Sequence, residues 1–298
     1  MNRRQFLFNS AAAVYTAGRV SIPQARAQSA DKLQHVAVMT SYFGTRMPDI
    51  RDHGAPKVKK DLDLRDFPDM IADHFHIHNV EVQQMYFPAD GLSAYLTDFR
   101  NRLRKAKSRV TNMPLEFDDQ GTPGIISICS PDAKIQQHAI EMTKQWVDHA
   151  AFLGSPSIMI NQGSHLESGK LGPAMEGLKT IVAYGRSKNI AILVENRGTT
   201  APEVLAELIK ATGSYSNPDI GNFTDEDARE RGLRLLYPLS HGNTHVKIMA
   251  ERYDFAKILA ISKEMGFKGR YSIEAGRQLA PDPFQAVQII LDQLVKLI

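Results

Sequence analysis

The sequence predicts an α/β fold, a single (β/α)8 barrel of parallel strands. Three observations carry that expectation. From Leu33 onward, short apolar runs alternate with amphipathic segments eight times. Several of the runs are continuous rather than alternating, as in strands buried on both faces of a parallel sheet. Residues 33–298 also match the ~250 residues over which such a barrel is usually built. A doubly wound open sheet shares the alternation, but eight strand–helix pairs in one stretch favour a closed sheet. No linker or low-complexity segment divides the stretch.

The elements follow in order. HVAVM, 35–39, is the first strand, and DFPDMIADHF the helix after it. NVEVQQM, 79–85, is the second strand, followed by a helix over GLSAYLTDFRNRLRKAK. RVTNM, 109–113, is a weaker third strand, with a long loop through Pro131 behind it. The next helix, DAKIQQHAIEMTKQWVDHAAFLG, sets Ile135, Ile140, Met142, Trp146 and Ala150 near helical spacing. SIMIN, 157–161, is the fourth strand and PAMEGLKTIVAYGRSK its helix. IAILVE, 190–195, is the fifth strand, and the helix behind it has the clearest end signals. Thr200 can cap it, Pro202 suits the first turn, Glu203 completes a capping box and Gly213 can end it. YSNPDIGNF, 215–223, is an irregular sixth strand end, and Thr224 can cap the helix through DEDARERGLRLL. THVKI, 244–248, is the seventh strand, followed by DFAKILAISKEMG. YSIEAG, 271–276, is the eighth, and Asp282-Pro283 opens a final helix.

The first 27 residues read differently. Arg3 and Arg4 precede Phe6-Leu7-Phe8 and a weakly apolar stretch, and Ala25-Arg26-Ala27 has the small-x-small pattern of a cleavage site. That order is the order of a twin-arginine export signal, an address outside the fold, and it implies a periplasmic or secreted location. The segment carries four arginines and no acidic residue, so the formal charge of +3 becomes −1 without it. A near-neutral remainder lacks the electrostatic footprint of a nucleic-acid partner. The single cysteine, Cys129, excludes an intramolecular disulfide, so an exported chain must be held by its core. No apolar run approaches the ~20 residues that span a membrane, so no membrane anchor is expected after cleavage.

Four consecutive strands of the second half end in side chains of metal-ligand type. They are Glu195 in LVENRG, Asp219 in NPDIGNF, His245 in THVK and Glu274 in SIEAG. In this barrel the C-terminal strand ends converge on one face, so the four would meet around one point. Taken singly, each is a polar strand end that a loop could pair. Together, three carboxylates and an imidazole conflict in a desolvated cup, because like charges raise each other's pKa. One divalent metal ion removes the conflict. The oxygen-rich set suits Mn²⁺ or Mg²⁺, with Co²⁺, Fe²⁺ or Zn²⁺ as alternatives.

Other residues are candidates around that point. Lys247 lies two past His245 and so points to the same side, where it could hold a substrate oxygen or pair with a barrel carboxylate. His165, in NQGSH after the fourth strand, could reach the pocket. Glu81 in NVEV is expected to point into the barrel mouth. Arg197 and Arg277 follow the two ligand glutamates and could meet a phosphate or acidic sugar, or stand as solvated loop arginines. His74, His76 and His78 alternate in a pattern that resembles a zinc site. They fall between the first helix and the second strand, at the N-terminal face and away from chemistry.

VENRG, PDIGNF, HVK and IEAG, in that order, resemble the xylose isomerase-like TIM barrel superfamily. That group includes sugar-phosphate isomerases and epimerases, ketose 3-epimerases, hydroxypyruvate isomerase, inosose dehydratase and endonuclease IV. The resemblance runs over essentially the whole chain after the signal. It implies that Glu195, Asp219, His245 and Glu274 bind one divalent metal, and that Glu195 and Glu274 flank the substrate and pass its proton. It implies that Asn222, three past Asp219, touches a small carbohydrate substrate. Relatives are often dimers or tetramers, so a homo-oligomer is one expectation. The implied chemistry is consistent with the residues. A metal chelating a carbonyl and its neighbouring hydroxyl stabilises an enediolate. One carboxylate then removes the proton beside the carbonyl and the other returns it on the opposite face.

The chain departs from two branches of the group. Endonuclease IV needs a histidine where Asn222 stands, and an Asp-x-His after the matching histidine, which HVKIMAERYD lacks. Ketose epimerases usually carry an Asp and an Arg after the metal histidine to hold distal hydroxyls, and here only Arg252 remains. A sugar isomerase or epimerase is therefore expected, with the sugar open. An exported 3-keto-sugar or 3-keto-glycoside lyase or dehydratase on the same site is an alternative, as is a non-catalytic periplasmic sugar-binding barrel.

Overall fold

Alternate residues of each strand go to two different cores. Val36, Val38, Ile158, Ile160, Ile192 and Val194 are at most 3 % exposed and pack outward beneath the helices. The residues that alternate with them, Ala37, Met39, Met159 and Leu193, are at most 4 % exposed and face the barrel interior. That double burial is why the strands read as unbroken apolar runs.

The computed structural model describes residues 31–48, 60–116, 127–162 and 166–298. The expected export signal and His165 lie outside the described residues. Eight parallel strands each lead into a helix: β1 (Val36–Met39), α1 (Phe67–Phe75), β2 (Asn79–Glu81), α2 (Leu92–Lys105), β3 (Arg109–Leu115), α3 (Ala133–Leu153), β4 (Ser157–Asn161), α4 (Gly172–Ser187), β5 (Ala191–Glu195), α5 (Pro202–Thr212), β6 (Tyr215–Asn217), α6 (Glu226–Leu236), β7 (Asn243–Val246), α7 (Phe255–Glu264), β8 (Arg270–Ile273) and α8 (Pro283–Leu297). The strand order is β6-β5-β4-β3-β2-β1-β8-β7. Between β6 and β7 the ladder is replaced by isolated bridges, Ser216 opposite Ser240 and Asp219 opposite His245. The His245 amide donates to the Pro218 carbonyl at 2.9 Å, and the Ile220 amide to the His245 carbonyl at 3.3 Å. The result is the expected (β/α)8 TIM barrel, closed at that seam.

Several details differ from the sequence expectations, each for a local reason. β2 stops at Glu81 because the glutamines after it are taken up by side-chain bonds. Gln83 exchanges hydrogen bonds with the Thr40 hydroxyl, and Gln84 binds the main chain of Glu116. Residues Gln84–Tyr86 turn as a 3-10 helix instead. β3 runs on to Leu115, pairing Pro114 with Met159 of β4. Thr200 does not cap α5: its hydroxyl accepts from the Leu166 amide, and Ala201 holds the N-cap position. At α6 the cap is Asp225, which accepts from the Ala228 amide, while Thr224 donates to Asp225. Gly213 ends α5 in the left-handed region at φ 69, as its position predicted. Among the described residues no helix is long and apolar enough to cross a membrane.

Candidate metal centre

Each member of the strand-end set is placed by its own strand. The apolar run of β5 carries Glu195 to the barrel mouth, where it is 4 % exposed. Asn196, next in sequence and buried, then ties β5 to the loop after β6. Its Oδ1 accepts from the Asp219 amide at 2.8 Å, and its Nδ2 donates to the carbonyls of Asp219 at 3.0 Å and Asn222 at 3.2 Å. Asp219 spends Oδ1 on the Gly221 amide at 2.7 Å, which leaves Oδ2 turned inward. His245 sits opposite Asp219 across the seam and is fully buried. Glu274 follows the last residue of β8 and is the most open of the four.

The four converge. His245 Nδ1 lies 2.8 Å from Glu195 Oε1 and 3.8 Å from both Asp219 Oδ2 and Glu274 Oε2. One ligand-capable atom from each residue lies within 4.8 Å of all the others. Four such atoms gathered around one point are close enough for a single divalent ion to draw them together. Lys247 Nζ lies 2.8 Å from Asp219 Oδ2 and 2.7 Å from Glu274 Oε2. Those two oxygens are close to the ammonium yet have no hydrogen bond of good geometry. Buried carboxylate oxygens left in that condition, beside an imidazole nitrogen, are a donor set that fits a hard divalent cation.

The electrostatics agree with a cup built for positive charge. Burial pushes the Glu195 carboxyl up to about 7, against the pull of His245. Burial also raises Glu274, with Lys247 opposing it. Burial works against the charge on Asp219 too, but Lys247 and His245 win and hold it below the usual carboxylate range. For His245, burial opposes the proton, and the carboxylates of Glu81, Asp219 and Glu195 outweigh it, so its pKa stands well above the ordinary value. Lys247 is likewise raised, its burial overcome by Asp219, Glu274 and Glu195. Without a metal, His245 and Lys247 are the cations that balance the cup.

The remaining sequence candidates are sorted by the same geometry. Lys247 takes the paired alternative, held by two carboxylates. Asn222 is half-buried; its carbonyl accepts from Asn196, and its side chain has no partner among the described residues. Arg197 donates to Glu116 Oε2 at 2.8 Å, and Arg277 is exposed. Arg252 serves the backbone, donating to the carbonyls of Phe223 at 2.6 Å and Gly221 at 3.4 Å. The alternating histidines are structural. The His74 ring packs 4.6 Å from both Phe75 and Phe284, His76 caps α1 at φ 57, and His78 Nδ1 lies 3.0 Å from the Ala106 carbonyl. Glu81 is not at the mouth. It is fully buried behind His245, with Oε1 2.8 Å from Nε2. Asn196 was not singled out from sequence, although its place directly after Glu195 was a signal that the strand end had a polar partner.

Fold and site together define a (β/α)8 barrel whose C-terminal mouth holds a carboxylate–imidazole cup able to take one metal ion. The chain belongs to the Xylose isomerase-like TIM barrel family, whose model matches residues 72–291. Among solved structures it is similar to a xylose isomerase domain protein from Planctomyces limnophilus, at 17% identity and TM-score 0.65, covering 88% of this chain and 96% of that one. It is similar to a xylose isomerase-like TIM barrel protein from Mycobacterium smegmatis in complex with magnesium, at 15% identity and TM-score 0.64, covering 89% and 96%. An L-ribulose 3-epimerase matches at 12% identity and TM-score 0.65, covering 88% and 94%. At such identities the likeness is one of fold. No curated protein matches the chain.

Proposed function

We propose that the chain is a divalent-metal-dependent isomerase or epimerase of a small keto-sugar, working by proton transfer at the carbon beside the carbonyl. One observation carries the reading: two carboxylates, the buried Glu195 and the part-buried Glu274, approach the same imidazole nitrogen, to 2.8 and 3.8 Å, from strands on either side of it. Glu195, Asp219, His245 and Glu274 would hold the ion, which suits Mn²⁺ or Mg²⁺. When bound, the ion would supply Lewis-acid polarisation of the sugar carbonyl and charge to offset the enediolate.

The protein's residues do the rest. Burial raises both glutamates above the usual carboxylate range, Glu195 to about 7, which suits a group that takes and returns a proton. Glu195 on β5 and Glu274 after β8 stand apart around the cup, so one accepts the proton and the other returns it to the opposite face. The Lys247 ammonium, within 2.7 Å of Glu274, is placed to hold the oxygen that gains charge. Arg197 is held by Glu116 at 2.8 Å, which leaves it less available to a phosphate and favours a neutral sugar. The L-ribulose 3-epimerase among the structural neighbours is in keeping with such a substrate. The paired arginines and cleavage pattern of residues 1–27 support action outside the cytoplasm, testable by fractionation and N-terminal sequencing of the mature chain.

The test is proton exchange. Neutral keto-sugars incubated in D₂O with Mn²⁺ should gain deuterium beside the carbonyl, and Glu195→Gln and Glu274→Gln should each stop it. Metal uptake with no exchange on any sugar tested would overturn the reading in favour of a binding protein. Exchange accompanied by cleavage of the sugar would convert it to a lyase on the same residues.

A further inference from the structure

We infer that Glu81 positions His245: it holds the proton on Nε2 and so presents Nδ1 as the metal-binding nitrogen. The inference rests on the reading of the four strand-end residues as metal ligands. It assigns a role to a residue outside that set.

Three observations carry it. The first is the placement of the two ring nitrogens. Nδ1 faces Glu195, Asp219 and Glu274, while Nε2 points the other way, 2.8 Å from Glu81 Oε1. An imidazole that binds a metal through one nitrogen donates from the other, and a carboxylate acceptor there fixes both tautomer and ring angle.

The second is that Glu81 is itself fixed. Oε1 also accepts from Asn112 Nδ2 at 2.8 Å, and Oε2 from Asn243 Nδ2 at 3.2 Å. Asn112 is held in turn by the Ser157 hydroxyl at 2.7 Å, and Asn243 by Asn217 Oδ1 at 2.8 Å. These residues come from β2, β3, β4, β6 and β7, all buried, so a polar layer crosses the barrel directly beneath His245. Barrel interiors are ordinarily filled by branched apolar side chains. A buried carboxylate there is costly unless it is fully bonded, as this one is.

The third is backbone geometry. The β2–β3 register shifts between Val80 and Glu81, so that Glu81 pairs with Asn112 and Thr111 is the extra residue. That bulge brings an amide side chain, rather than the threonine, against Glu81. Glu81 lies behind the imidazole from Glu195, out of reach of a substrate in the cup, so proton transfer gives no reason for its presence. Orientation of His245 does.

The experiment has two arms. In the Mg²⁺-loaded wild-type chain, long-range ¹H–¹⁵N spectra of His245 should show Nε2 protonated and Nδ1 bare. A bare Nε2 overturns the inference. In the second arm, Mn²⁺ is titrated into wild type, Glu81→Gln and Glu81→Leu by calorimetry, with circular dichroism to establish folding. Glu81→Gln keeps the shape and one acceptor but removes the charge, and should bind Mn²⁺ about 10-fold more weakly, with Glu81→Leu weaker by up to about 100-fold. Folded variants that bind as wild type overturn the inference alone. A wild-type chain that takes up neither ion overturns the metal reading and this inference with it. Should Glu81→Leu fail to fold, Glu81→Gln and the spectra still decide.

Discussion

Replacing Lys247 with methionine removes the ammonium from the cup while keeping a side chain of similar length. The lysine is 12% exposed at the side chain, and its Nζ stands 2.8 Å from Asp219 Oδ2 and 2.7 Å from Glu274 Oε2. Removing one partner of a buried ion pair costs about 3–5 kcal/mol, because the charge left behind is uncompensated. Glu274 is 28% exposed, so water screens part of the loss and the lower end applies. A deficit of about 3 kcal/mol lowers the melting temperature of a chain this size by about 6–12 °C. A divalent ion addresses the same two oxygens and should restore the balance, with no ammonium to repel it. At 100 times its Kd it contributes about 2.7 kcal/mol, and Lys247→Met should bind it more tightly than wild type. Thermal melts of both proteins, from EDTA through a Mn²⁺ titration, read this directly. The gap should be wide in EDTA and should narrow as Mn²⁺ rises, while turnover is lost. Identical melts in EDTA would show that the ion pair carries no stability. Equal Mn²⁺ shifts, with the gap preserved, would show that lysine and metal do not share oxygens.

Other expectations follow from the same contacts. Asn196→Ala strips partners from the Asp219 amide and the carbonyls of Asp219 and Asn222; at about 1 kcal/mol per hydrogen bond it should lose about 3 kcal/mol in urea unfolding and bind Mn²⁺ more weakly. Glu195 is pushed up to about 7, so below that pH the metal-free protein holds a proton that the ion must displace. Mn²⁺ affinity should therefore fall as the pH drops from about 8 to about 6. Calorimetry in buffers of unlike ionisation enthalpy should find more protons released at the lower pH. In Gly221→Ala the added Cβ would lie 2.6 Å from Lys247 Cδ. The lysine must swing away, so turnover should fall, and the metal-free melt should move in the direction of Lys247→Met by a smaller amount.

What the sequence made legible was what local chemistry decides. The apolar runs identify β4 and β5 because both faces of each strand are buried, and Glu195 stands out because it ends such a run. Asp219, His245 and Glu274 fall in phase with it at the next three strand ends. What stayed hidden depends on contacts across the barrel. Glu81 looks like a residue of the mouth until the β2–β3 bulge fixes where it points. The pairing of Lys247 was one of two readings, and only the placement of Asp219 and Glu274 selects it. The cap at α6 moved by one residue because Thr224 and Asp225 are both competent caps, and which one meets the Ala228 amide is a matter of backbone path.

The barrel's weakest seam and its candidate metal centre are the same place, and this bears on why the site is built there. Along β6 and β7 no continuous ladder forms; Pro218 has no amide to give, and only its carbonyl takes part, accepting from His245. The two residues that face each other across the gap, Asp219 and His245, are also two of the four candidate ligands. Glu195 and Glu274 come from the strands on either side, so the set spans four neighbouring staves around the opening. An ion held by all four would join through side chains what the main chain joins only by bridges. Occupancy would then both neutralise the carboxylates and fix the separation of the two glutamates proposed to flank the substrate. Without an ion the same oxygens are balanced by His245 and Lys247. In such an arrangement metal uptake, seam closure and the alignment of the two glutamates would be one event.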